Sequence, residues 1–380
     1  MNNSHIRFTR PAAFSSAVTI VAALTSQACA DPLPAENPKT HLDEPVQPIA
    51  IQVDTTRSSE APASSAPAVA EAPPPPTYKD VGLKTPESVL YEATSDVYLV
   101  SNINGAPPEK DNNGFISILA PDGSVKALKF IAGGENGVTL DAPKGMGISG
   151  DVLYVSDIQD VRKFDLKTGA PKGSIHIPKA TFLNDIAVDA QGTVYVSDSG
   201  RKAGKEGLEP SGTDALYKLV GDKAVVVVKG KQLEGPNGVN VDADGIEFAT
   251  MGGDSFVRIN AAGKELARAH LPGGGLDGIV RLADGSYLVS SWQGQAVYRG
   301  GFTQPFVAVL KDAPSSADIG YDSKRDRILI PVLMQDLVRT VALPESDAPK
   351  AVANPAPKAD ELVSASPASS APSAAPPKAK

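Results

Sequence analysis

The 380-residue chain has one cysteine, one tryptophan and four histidines. A single cysteine rules out any disulfide within the chain. Two of the histidines, His5 and His41, lie in low-complexity stretches, and His176 and His270 fall on or beside segments that read as outer strands. A Ser–His–Asp triad or a zinc–histidine centre therefore has no evident histidine to use. Basic charge is also scarce: the net charge is -8, whereas a nucleic-acid partner usually shows as a basic face or stripe. Beyond the first thirty residues no stretch is long and apolar enough to span a bilayer. Helical periodicity is missing as well, because apolar residues alternate with a period of two or form short Val/Ile/Tyr runs broken by Gly, Asp and Pro.

What is present divides the chain into four parts. Residues 1–30 read as a signal peptide, with Arg7 and Arg10 ahead of the apolar "AAFSSAVTIVAALTSQ" and a small-x-small site at Ala28–Ala30. Export to the periplasm or beyond the cell is expected, with cleavage before Asp31. The alternative is a lipid anchor at Cys29, although Ser26 stands where a lipoprotein box prefers Leu. Residues 31–76 and 346–380 are rich in Pro, Ala and Ser; such composition cannot bury enough apolar surface to fold. Residues 77–345 form the one globular unit.

That unit repeats. "TPESVLYEATSDVYLVSN" (85–102), "APKGMGISGDVLYVSD" (142–157), "FLNDIAVDAQGTVYVSD" (182–198), "GPNGVNVDADGIEFATM" (235–251), "GLDGIVRLADGSYLVSSW" (275–292) and "SADIGYDSKRDRILIPVL" (316–333) each hold a short strand, a polar turn and a second strand. A further strand pair follows each of the first five. Units of four strands at such a period are blades of a propeller, so the spacing predicts an all-β, six-bladed β-propeller. The sixth blade shows only three strands of its own, and "YKDVGLK" (78–84) is expected to return as its outer strand.

In a propeller the first strand of each blade lines the channel, and all six begin at one face. Glu87, Lys144, Asn184, Asn237, Asp277 and Asp318 enter those strands. Five of the six carry a carboxylate or amide oxygen, and such convergence is costly unless a cation satisfies it. Calcium, which takes six to eight oxygens in flexible geometry, is favoured over other divalent cations. Lys144 is expected either to pair with a carboxylate or to bind an anionic group of a substrate. The second strands return to the same face, so Asn102, Asp157, Asp198 and Trp292 at their ends are candidates for substrate contact, together with Asp318 of the ring. The long loops 102–113 and 198–214 are expected to wall the pocket. "DADG" (242–245) reads as a hairpin turn, lacking the glutamate and helices of an EF-hand, and "GGGLDG" (273–278) lacks the helix of a phosphate loop.

"PES" at Glu87, "ND" at Asn184-Asp185, "PNG" at Asn237 and "LDG" at Asp277 resemble the senescence-marker-protein/gluconolactonase family, which includes regucalcin and has the paraoxonases as distant six-bladed relatives. The resemblance covers about residues 80–343. It implies that Glu87, Asn237 and Asp277 ligate the metal, and that Asn184 ligates it or orients water and substrate. It also makes Asp277 the base, with Asp185 as the other candidate. Two departures stand out: the family's "EGP-x-W" is "PESVLY" here, and the paraoxonase histidine pair has no counterpart. The expectation is an exported, monomeric, calcium-dependent hydrolase of a small molecule such as a lactone. A non-catalytic propeller that binds a ligand or protein around a structural metal is the alternative.

Overall fold

The computed structural model describes residues 74–344 except Glu206. The signal segment with Cys29, His5 and His41, nearly all of the Pro/Ala/Ser-rich linker and the 346–380 tail lie outside the described residues. Six four-stranded antiparallel sheets make up the domain, each a meander running outward from the axis. Blade one is Pro86–Glu92, Val97–Asn102, Phe115–Leu119 and Val125–Ala132. Blades two to five repeat the plan, with inner strands Pro143–Ser149, Leu183–Val188, Pro236–Asp242 and Leu276–Arg281. Each inner strand touches its neighbours, and the sixth touches the first, so the ring is closed.

Blade six is built from both ends of the domain. Gly320–Asp322, Arg327–Val332 and Leu337–Ala342 come from the C-terminal side. Its outermost strand is Thr77–Tyr78, paired antiparallel with register Thr77 to Arg339 and Tyr78 to Val338. The closure expected from "YKDVGLK" is present, confined to the start of that segment. One addition interrupts the plan: a small hairpin, Arg201–Gly204 with Gly207–Pro210, is inserted after the second strand of blade three.

Period-two alternation gives every inner blade two apolar faces, and these meet the faces of the blades on either side. The buried core accordingly has six clusters, one at each blade junction, with a small seventh of Ile103, Ala142 and Ile158. Between blades one and two, for example, Leu99 and Ile116 pack on Met146, Leu153, Val155 and Phe164. Truncating one such residue to Ala removes apolar burial and leaves a cavity, at a cost of about 2–5 kcal/mol. The turns obey short polar residues: the Asp122 carboxylate accepts from Ser124 N–H at 2.9 Å and Asp284 from Ser286 N–H at 3.0 Å. "DADG" is the hairpin turn expected, with Asp242 opposite Gly245.

Candidate functional site

All six inner strands share one irregularity at their entrance. Pro86 faces Asn102 but Ser88 faces Ser101, so Glu87 is an extra residue in its strand. The same one-residue shift occurs at Lys144-Gly145, Asn184-Asp185, Asn237-Gly238 and Asp277-Gly278. In blade six it falls between the isolated bridge Ser316–Val332 and the pair Gly320–Leu329, around Asp318. Such a bulge bends the strand and re-aims a side chain. At Gly145, Gly238 and Gly278 the next inner strand comes so close that an added Cβ would collide with it, which explains the glycine after three of the ring residues.

A bulge leaves backbone groups outside the ladder, and serines of the second strands collect them. Ser101 Oγ accepts from Ser88 N–H, Ser197 Oγ from Asp185 N–H and Ser290 Oγ from Gly278 N–H, each at 2.9 Å. Ser197 and Ser290 pass a hydrogen bond on to the next blade, donating to Asn237 O at 2.7 Å and Ala317 O at 2.8 Å. This is what the recurring "VS" of the repeat is for, a role that period-two reading did not suggest.

The bulges gather Glu87, Lys144, Asn184, Asn237 and Asp277 on the floor of a cavity of about 580 Å³. Three buried oxygens there have no hydrogen-bond partner: Glu87 Oε2, Asn237 Oδ1 and Asp277 Oδ1. The side chains are nonetheless held firmly. Trp292 Nε1 donates to Asp277 Oδ2 at 2.6 Å, Asn237 Nδ2 to Leu276 O at 3.1 Å and Asn184 Nδ2 to Ser199 Oγ at 3.0 Å. Fixed oxygens that are buried without a donor are costly, and two carboxylates with two amides are a hard, oxygen-only donor set that fits calcium. Among the described residues no group of three or more His, Cys, Asp or Glu is arranged around a metal position, so the amides are essential to any such site.

Electrostatics tell the same story. Burial pushes Asp277 up to about 7, against the hydrogen bond from Trp292. Burial also lifts Asp185 to about 7, against its backbone donors and with Asp277 adding to the rise. Glu87 and Asp318 are held well above the usual carboxylate range, by burial first and then by the neighbouring carboxylates. Four buried acidic groups thus lie close enough to act on one another, and like charges resist ionising together. Lys144 is the only cation among them. Its ammonium forms no ion pair among the described residues; it donates to Ala142 O at 2.9 Å and Pro107 O at 3.3 Å and lies 4.5 Å from the centre of the Phe182 ring. Burial draws its pKa down while Glu87 draws it up.

Several expected site residues occupy other places. Asp185 is behind the cavity floor, with Oδ1 accepting from Ile186 N–H at 2.6 Å and Oδ2 from Val239 N–H at 2.7 Å. Both oxygens are committed, which removes it as a base. Asp318 is also outside the lining and is bound by Ser88 Oγ. Asn102, Asp157 and Asp198 do not contact the cavity. Each sits at the end of a second strand and fastens the loop that enters the inner strand. Asn102 Oδ1 accepts from Lys84 N–H at 2.9 Å, Asp157 Oδ1 from Ala142 N–H at 2.8 Å and Asp198 Oδ1 from Phe182 N–H at 3.0 Å. Asp157 also takes Arg162 Nε at 2.7 Å. Their polarity serves loop closure, and none of the three is among the residues that line the cavity. Trp292, in contrast, lines the cavity, as do Met251 and Leu333 at equivalent strand ends. The loop 102–113 contributes Ile103, Gly105 and Pro107, and the inserted hairpin contributes Leu208. The last two histidines are where the sequence put them, on outer strands facing Asp160 and Asp254.

No family model matches the chain, and no curated protein does. Solved structures do. A luciferin-regenerating enzyme aligns with a TM-score of 0.53 at 16% identity, over 71% of this chain and 96% of its own. A gluconolactonase from Xanthomonas campestris gives 0.52 at 16% identity, over 69% and 87%. A streptogramin B lyase gives 0.51 at 8%, over 70% and 96%. At such identities the likeness is one of fold, and the resemblance to gluconolactonase-type propellers expected from the sequence is found at that level.

Proposed function

We propose that this chain is a divalent-metal-dependent hydrolase of a lactone or ester, with calcium as the favoured ion. The observation that carries the reading is the set of buried, unpartnered oxygens of Glu87, Asn237 and Asp277 on the cavity floor. With Asn184 they would hold the cation, their positions fixed by the bulges and by Trp292, Leu276 and Ser199. A cation there supplies Lewis-acid polarisation of the substrate carbonyl and favours negative charge on its oxygen. The fold shared with a gluconolactonase supports a cyclic ester as substrate.

The chain's own residues do the rest. Asp277 would share Oδ1, the oxygen not occupied by Trp292, between the cation and the attacking water, taking the water's proton through the remaining lone pair. The water oxygen bonds to the carbonyl carbon, the ring C–O bond breaks, and the leaving alkoxide oxygen takes the proton that Asp277 received. Phe182 and Trp292 line the cavity beside these groups and give the reacting end an apolar surround. Lys144 stands beside Glu87 as a positive group for the carboxylate product. Export, with cleavage before Asp31 or lipidation at Cys29, and a monomeric state belong to the same proposal.

A panel of lactones and carboxylic esters, assayed with calcium and with chelator, tests the reading. Chelator-sensitive turnover that falls roughly 10²–10⁴-fold in Asp277→Asn with calcium in excess is expected. Silence across the panel with calcium-loaded protein would overturn it.

A further inference from the structure

The cavity extends well beyond the groups that would do the chemistry. Its volume of about 580 Å³ lies within the ~300–1,000 Å³ of pockets that enclose drug-sized ligands. At the ~30 Å³ that a water occupies in the liquid, it holds on the order of twenty non-hydrogen atoms. A six-carbon sugar lactone would fill only part of it.

The distribution of polarity is more telling than the size. The buried oxygens and the ammonium are on the floor, and the other polar side chains of the lining are Thr85, Gln293 and Asp336. Above the floor the wall is made by Ile103, Phe182, Met251, Trp292 and Leu333. Of the polar rim, Asp336 is already occupied, accepting from Thr85 N–H at 2.7 Å and pairing with Lys84. A sugar lactone carries hydroxyl groups around its ring, and with only Thr85 and Gln293 as further polar side chains most of them would face the apolar wall and give up water without a replacement partner. The apolar lining also continues out to solvent. Leu208 on the inserted hairpin and Met334 are 39% and 74% exposed and both line the cavity, whereas the other exposed large hydrophobics lie on third and outer strands. Exposed apolar side chains at a mouth favour an apolar molecule entering it.

We infer that the substrate is an ester or lactone with an extended alkyl or aryl body, seated with its carbonyl at the floor and its apolar part against the wall and lip. The reacting end of this assignment rests on the hydrolase reading; the apolar body does not. Trp292, the only tryptophan of the chain, lines the cavity and reports its occupancy by fluorescence without any turnover. Full-length protein, chelated and calcium-loaded, is titrated with lactams of increasing alkyl chain length, and with the lactam of gluconic acid. Lactams resist hydrolysis, so a failure of the hydrolase reading leaves the binding series intact. Affinity is expected to rise about fourfold for each methylene buried, with the sugar lactam far weaker than the long-chain ones. Met334→Lys and Leu208→Lys, at exposed positions that folding tolerates, should reduce the gain per methylene for the longest chains. Affinity independent of chain length, a sugar lactam bound as tightly as the long-chain lactams, or no fluorescence response to any of them would overturn the inference.

Discussion

Asp277→Asn should make the metal-free protein more stable while it destroys the site. The amide keeps an oxygen for Trp292 Nε1, now 2.6 Å from Oδ2, and places its NH₂ where Oδ1 has no partner. Wild-type Asp277 rises from 3.8 to about 7 on folding, chiefly by burial. A raised folded pKa means that the folded state holds its proton longer than the unfolded chain. The associated stability is complete below pH ~4 and is lost as pH rises through about 7. At ~1.4 kcal/mol per pKa unit, the loss at pH 8 reaches about 4 kcal/mol. Asn has no proton to lose. Variant and wild type should therefore match near pH 4 and diverge to about 2–4 kcal/mol at pH 8, in the variant's favour. For a domain of this size that is roughly 4–8 °C in Tm. Thermal or urea unfolding in chelator, followed by circular dichroism at both pH values, measures it. A variant less stable than wild type at pH 8, or a difference independent of pH, would refute the account of the carboxylate cluster.

Calcium at about 100 times its Kd should stabilise the wild type by ~2.7 kcal/mol, and thermal shift assays should show that gain greatly reduced in Glu87→Gln and Asp277→Asn. Asn237→Ala, which removes a neutral ligand, should retain more of it, since affinity follows ligand charge as well as number. Asp198→Ala strips three loop N–H groups of their acceptor and should cost about 1–3 kcal/mol in urea unfolding, with calcium affinity by titration calorimetry unchanged. For export, the intact mass of protein recovered from its native host should correspond to a chain starting at Asp31, or to a lipidated Cys29; an unprocessed cytoplasmic form would contradict both.

The blades were legible because each repeats the same alternation and turn, and because a ring of equal units forces equivalent positions to one face. Glu87, Asn184, Asn237 and Asp277 follow from that symmetry, and the structure brings them together. Asp185 misled for a local reason. It occupies the place after the bulge that glycine fills at Gly145, Gly238 and Gly278, so its side chain turns to the Val239 and Ile186 amides. Asn102, Asp157 and Asp198 misled for a general one: a polar residue at a strand end serves a ligand or a loop equally well on paper, and only the direction of its hydrogen bonds decides. Ile103 and Leu208 lie in the long loops expected to wall the pocket, but nothing singled out these side chains or Phe182, since an apolar residue facing a cavity has the same pattern as one facing the core.

The blade assembled from both ends of the domain has a consequence for how the chain acquires its structure. Thr340 hydrogen-bonds to Pro76 O across 264 residues of sequence, so that clasp cannot form until almost the whole domain has been made. Blades one to five can pair internally from local segments, but the ring stays open until the last strand meets the first. Contacts of such sequence separation slow folding, because the entropy of closing the long loop is lost before they are gained. A chain that lost the three C-terminal strands of blade six would leave the apolar flanks of blades five and one facing water, and would behave as an open arc prone to association, not as a propeller with a missing edge. Loss of Thr77–Tyr78 alone would withdraw Tyr78 from the junction of blades six and one.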